Sequence, residues 1–136
     1  MQYDELIARV AERTGLSEGE AEKLTYATLA TLAERISGGE ARDLASQLPA
    51  PLKDALEPAQ EEAEAFSFEE FVQRVAQRSE LDPAMSETAV DAVMATLREA
   101  VTPGEFDDVL SQLPKDFHQL GTRDPNDRDA VSRYRG

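Results

Sequence analysis

Apolar residues recur along this chain at the spacing of helices, not strands. Tyr3, Leu6, Ile7 and Val10 follow the i, i+3, i+4, i+7 stripe of one buried helical face, and Phe68, Phe71, Val72 and Val75 follow it again. Leu24, Thr28 and Leu32 mark the inner face of a second helix, and Ala89, Val93 and Leu97 that of a later one. No stretch alternates with period two for long enough to predict a strand. Start signals agree with these stripes. Ser17 with Glu20, Ser37 with Glu40, Ser67 with Glu70 and Thr102 with Glu105 all have the S/T-x-x-E form of a capping box, with Phe66 as a staple before Ser67. Asp82-Pro83 is a cap followed by proline at the first helical position. The helices opening at Ser17 and Asp82 are predicted to reach about Arg35 and Ala100. Pro49 and Pro114 end a third pair, after which a short turn carries Leu52 and Phe117 back to the core.

These elements come twice. Shifted by 65 residues, segment 1–53 lies on 66–118 without a gap, with 19 of 53 positions identical. The strongest block is Ser46-Gln47-Leu48-Pro49 against Ser111-Gln112-Leu113-Pro114, preceded by Gly39-Glu40 against Gly104-Glu105 and Asp43 against Asp108. Arg9, Arg13 and Glu34 match Arg74, Arg78 and Glu99. The expected fold is all-α: about eight helices in two four-helix repeats, packed with pseudo-two-fold symmetry as one domain over 1–120. A half of about 50 residues buries too little surface to stand alone. Repeat one covers 1–57 and repeat two 66–120, with an acidic connector at 58–65 that carries some helix after Pro58. Segment 121–136 has no apolar period and is expected to be a flexible tail.

The repeated residues resemble a family. An opening like Tyr3-Asp4-Glu5-Leu6 with Arg9-Val10, the run Leu32-Ala-Glu-Arg-Ile-Ser-Gly-Gly-Glu40 leading into Asp43-Leu44-Ala45-Ser46-Gln47-Leu48-Pro49, and the second Gly104-Glu105 with Gln112-Leu113-Pro114 are similar to the bacterial domain-of-unknown-function family 2267. The resemblance covers about 120 residues and implies a small all-helical protein built of this duplicated unit. It brings no activity and no catalytic residues with it.

Charge narrows the function. The 136 residues include 28 Asp plus Glu against 14 Lys plus Arg, a formal net charge of −14. Phosphate recognition and docking on anionic lipid both need clustered Lys and Arg, so no nucleic acid and no membrane is expected as partner. The absence of Cys removes thiolate metal sites and Cys nucleophiles. His118 is the only histidine, matches Lys53 under the shift, and reads as an ordinary surface side chain. Acids stand at the start where a signal peptide carries basic residues, and no run approaches the ~20 apolar residues of a membrane helix, so a cytoplasmic protein is expected.

No catalytic constellation, metal site or cofactor is expected. Asp124-Pro-Asn126-Asp127-Arg-Asp129 fails as a calcium loop because Asp129 stands where glycine is needed, and Glu61, Glu62 and Glu64 promise weak affinity only. Gly38-Gly39 could offer free amides to an anion, but a capping acid already serves that helix end. The charged residues kept in both repeats have structural explanations as helix pairs, dipole partners or capping acids. Arg13, Arg78, Asp43, Asp108, Gln47 and Gln112 remain the candidate binding residues. The preferred function is a non-enzymatic protein-interaction module for a basic or helical protein partner. The alternative is a small-ligand binder or enzyme using Arg13, Arg78, Asp43 and Asp108 in a cleft between the repeats.

Overall fold

Helix-start signals act where the sequence places them. A computed structural model describes residues 1–57 and 61–120 and holds, among them, seven α-helices, two 3₁₀ turns and no strand. In the first half these are α1 (Tyr3–Thr14), α2 (Glu18–Arg35), α3 (Gly38–Ser46) and α4 (Ala50–Lys53), followed by a 3₁₀ turn at Asp54–Leu56. In the second half they are α5 (Phe68–Ser79), α6 (Pro83–Ala100) and α7 (Pro103–Ser111), followed by a 3₁₀ turn at Lys115–Phe117. Seven helices stand where about eight were expected. Pro51 lies in the first turn of α4, where its fixed φ favours helix and its missing N–H is not needed. Lys115-Asp116-Phe117 lacks that device and closes a 3₁₀ turn only.

Of the four expected capping boxes, one is complete. The Ser17 hydroxyl accepts from the Glu20 N–H while the Glu20 carboxylate accepts from the Ser17 N–H. Ser37, Ser67 and Thr102 each accept from the N–H three residues on, but the acid there does not return the bond. Glu70 turns instead to Arg74, one turn along α5.

Burial of the predicted stripes brings the long helices together. α1 packs on α2 and α6, and α5 packs on α2 and α6, so each long helix touches partners from both halves. The buried apolar side chains form one continuous cluster from Leu6 to Leu120 that includes the predicted Leu24, Leu32, Ala89, Val93, Leu97, Leu52 and Phe117. Burial at roughly 25 cal/mol per Å² of apolar area is what holds this arrangement together. Phe117 is its ring centre, edge-on to Phe68 at 5.3 Å and to Phe71 at 5.5 Å between centroids. Thr25, Thr28 and Thr31 lie inside as well, each hydroxyl donating to the carbonyl four residues back, so no buried hydroxyl of α2 lacks a partner.

The connector is pinned, not helical, over 61–67. The Glu64 N–H donates to the Glu34 carbonyl and the Gly38 N–H to the Glu61 carbonyl, which draws the strand of chain across the α2–α3 corner. Arg42 grips the Glu61 carboxylate with both terminal nitrogens. Glycine is needed at 38: a Cβ there would sit 2.7 Å from Glu61 Oε2 and 3.2 Å from its Cα. The same bond occupies the amide that an anion would have used. The helix expected just after Pro58, the tail 121–136 and its Asp124–Asp129 stretch lie outside the described residues. Among those described, no helix is long and apolar enough to cross a membrane.

Candidate functional site

α3 and α7 lie side by side with opposite polarity, and two glutamines hold them there. Gln47, just after α3, accepts from the Thr102 N–H at 2.8 Å and donates to the Thr102 hydroxyl at 3.3 Å. Gln112, just after α7, accepts from the Ser37 N–H at 2.7 Å and donates to the Ser37 hydroxyl at 3.2 Å. Each glutamine therefore takes, at the start of the other helix, the N–H that a capping-box acid would accept from. Glu40 and Glu105 are released from capping and turn toward each other across the seam.

Glu40 and Asp43 stand three residues apart on one face of α3, as Glu105 and Asp108 do on α7. Oxygens of Glu40, Asp43 and Glu105 all lie within 4.8 Å of one another. Glu105 is 7 % exposed, and its Oε1, like that of Glu40, is buried and met by no N–H or hydroxyl donor. Burial, a hydrogen bond shared with Glu40, and the charges of Glu40, Asp43 and Asp108 push the Glu105 carboxyl up to about 7. The first-turn amides of the two helices favour negative charge here but do not offset burial and the neighbouring carboxylates. Among the described residues no Lys, Arg or His forms an ion pair with these four carboxylates, and Arg42, next in sequence to Asp43, is engaged by Glu61. Such a set can share a proton or accept a cation.

The other expected residues lie elsewhere. Arg13 binds Glu99 at 2.7 Å and the Thr96 hydroxyl at 2.7 Å; Arg78 binds Glu34 through two nitrogens, at 2.6 and 2.9 Å, and the Thr31 hydroxyl at 2.9 Å. The Arg78 hydrogen bond holds the Glu34 carboxyl below its usual range, with Arg74 adding to the effect. Neither arginine contacts Asp43 or Asp108. Arg78 also edges an open groove of about 600 Å³ walled by Tyr3, Glu22, Lys23 and Tyr26, in which the Tyr3 hydroxyl donates to Glu22 at 2.6 Å. Burial and that contact raise the Tyr3 hydroxyl to about 12. His118 is exposed, with Nε2 2.8 Å from the Leu113 carbonyl.

Glu40 and Glu105 are the residues that sequence reasoning set aside. The signal was present: a capping box needs no glutamine, yet Gln47 and Gln112 are kept together with both acids under the 65-residue shift. A family model for uncharacterized conserved proteins, DUF2267, matches residues 3–120. The chain belongs to that family. The match takes in both halves and every residue of the α3–α7 seam. No curated protein matches the chain.

Proposed function

We propose that this DUF2267 protein is a non-enzymatic interaction module: two repeats related by a pseudo-two-fold axis form one domain, and the acidic α3–α7 seam receives a basic protein segment in the cytoplasm. The observation that carries the reading is the seam itself. Asp43 and Asp108 are exposed along it and neither has an ion-pair partner among the described residues, whereas the acids that face the arginines of α1 and α5 are neutralised. Matched helix lengths (12, 18 and 9 residues in each half) and the reciprocal glutamine bonds support the two-fold relation. Gln47 and Gln112 build the surface and are not its contact groups. The ligand-cleft alternative draws less support, because Arg13 and Arg78 are engaged by their own glutamates away from Asp43 and Asp108.

The test is calorimetric titration of a lysine-rich helical peptide into the full chain. Binding should weaken with added salt, as complementary charge requires. It should be lost when Asp43 and Asp108 are both changed to Asn. Binding that is unaffected by that double change would sink the assignment of the surface, and no binding at any salt concentration would sink the reading.

A further inference from the structure

We infer that the α3–α7 seam is a binding site for one hard divalent cation, of the Mg²⁺, Mn²⁺ or Ca²⁺ class, held by Glu40, Asp43 and Glu105. Three carboxylate oxygens within 4.8 Å of one another have the spacing of ligands around one ion, since cation–oxygen bonds of about 2.0–2.6 Å separate neighbouring ligands by roughly 3–5 Å. The donors are oxygen only, which selects hard cations over the zinc and copper class. Exposed acids alone would not make a site. The second observation is Glu105, over nine-tenths buried, whose Oε1 is met by no N–H or hydroxyl donor while an oxygen of the same carboxylate belongs to the cluster. Buried polar groups in folded proteins nearly always have a partner, and a carboxylate oxygen without an N–H or hydroxyl donor beside two further carboxylates is met by a shared proton or by a cation. Glu40 repeats the feature from the other helix.

Local structure explains why the donors are held ready. Gln47 and Gln112 occupy the N-cap amides and fix the two helices at both ends of the seam, so the acids cannot fall back into capping. Glu40 and Glu105 come from first turns of rigid helices, and Asp43 follows one turn later on the same face. Asp43 and Asp108 are exposed, so water reaches the outer side and completes the coordination, while Asp108 adds negative charge beside Glu105. The sequence form is Gly-Glu-x-x-Asp, written twice as Gly39–Asp43 and Gly104–Asp108. This site does not depend on the interaction reading above, since it is tested with the protein alone.

Full-length protein is titrated calorimetrically with MnCl₂, CaCl₂ and MgCl₂ in turn, beside the variants Glu105→Gln, Asp43→Asn and Glu12→Gln. Glu12 is an exposed glutamate of α1, remote in sequence from the seam, and controls for diffuse attraction to a chain of charge −14. One saturable site is expected for at least one of the metals. Glu105→Gln and Asp43→Asn should each weaken it by at least about tenfold, and Glu12→Gln by less than about twofold. Mn²⁺ should broaden amide resonances at residues 39–43 and 104–108 first. Gln at 105 keeps the side-chain shape and can donate to Glu40, and Asn at 43 is exposed, so loss of affinity in a variant with an unchanged circular dichroism spectrum is not misfolding. Heats that fail to saturate by about 10 mM, weaker than the weakest calcium modules, would overturn the inference and leave a proton shared by Glu40 and Glu105 as what joins the helices. Equal weakening by Glu12→Gln would overturn it too.

Discussion

The two halves of the chain differ most where each builds its own interior and least where each reaches the other. All five phenylalanines lie in the second half, at 66, 68, 71, 106 and 117; the positions that match them in the first half are Met1, Tyr3, Leu6, Ala41 and Leu52. Several of the polar positions that stay identical point across. Arg13 binds Glu99 while Arg78 binds Glu34; Gln47 caps Thr102 while Gln112 caps Ser37; Glu40 faces Glu105. A core can exchange one apolar shape for another if the total volume is kept. A hydrogen bond or ion pair between halves fails when either end changes, so its two ends stay fixed. The difference teaches that many of the retained charges are tied to the join, while Glu5 and Glu70 pair with Arg9 and Arg74 inside their own helices.

The largest effect should come from the diverged interior. Phe71→Ala removes a fully buried ring that contacts Phe117, and should cost about 3–5 kcal/mol. Leu6→Ala, at the matching position, should cost about 2–4 kcal/mol. Urea unfolding of both variants measures this; a larger loss at Leu6 would break the idea that the aromatic half dominates the core.

A titration sharpens the comparison between the seam and the ion pairs. The Glu105 carboxyl is raised from 4.5 to about 7 in the folded chain, so the protonated form is the one the fold prefers. Its contribution to stability is therefore full below about pH 4.5, is lost as pH rises toward about 7, and stays lost above that. The loss should be on the order of 1–3 kcal/mol, and Glu105→Gln should flatten this part of the curve. Glu34, held low by Arg78, works in the opposite sense: its contribution is present at neutral pH and is lost as pH falls through the acid range below 4.5. Melting temperatures from about pH 2.5 to 8, in metal-free buffer, check both. A curve for Glu105→Gln that follows the unmodified protein would break the assignment.

Most of the fold was legible because its signals are local. Ser17 with Glu20 and Asp82 with Pro83 lie within four residues of the helix starts they set, and the stripes of α1, α2, α5 and α6 repeat inside single helices. The seam was not legible for the opposite reason. Ser37-x-x-Glu40 has the form of a capping box, and only Gln112, 75 residues away from Ser37, takes that role from the glutamate. Arg13 and Arg78 looked like dipole partners at the ends of their own helices, and the glutamates that engage them belong to α6 and α2. Spacing within a helix cannot reveal a partner on another one.

The glutamine locks should show a graded effect. Gln112→Ala leaves the Ser37 N–H without its half-buried partner and should cost about 1–2 kcal/mol, whereas Gln47→Ala, at an exposed position, should cost under about 1 kcal/mol. Both values come from urea unfolding. If the two are equal, the seam is wetted alike at both ends and the asymmetry of burial has no energetic weight.

A comparably small effect is expected at the ends of α1 and α5, where the halves meet one backbone demand with different residues. Gly15 closes α1 at φ 76° and Glu80 closes α5 at φ 61°, both in the left-handed region. Glycine enters that region without a Cβ clash, while any other L-residue is strained there. Gly15→Ala should therefore destabilise by about 1 kcal/mol, although nothing lies within 4 Å of the added Cβ, because the cost is conformational and not steric crowding by neighbours. Glu80→Gly should move the melting temperature the other way. The gain is partly offset by the freer unfolded chain that glycine brings and by release of Lys23, which pairs with Glu80 on the surface. Glu80→Ala separates these contributions: it loses the ion pair and keeps the strain, so it should melt below both Glu80→Gly and the unmodified protein. A Glu80→Gly variant that melts no higher than Glu80→Ala would mean that the surface pair with Lys23, and not the backbone, decides how α5 ends.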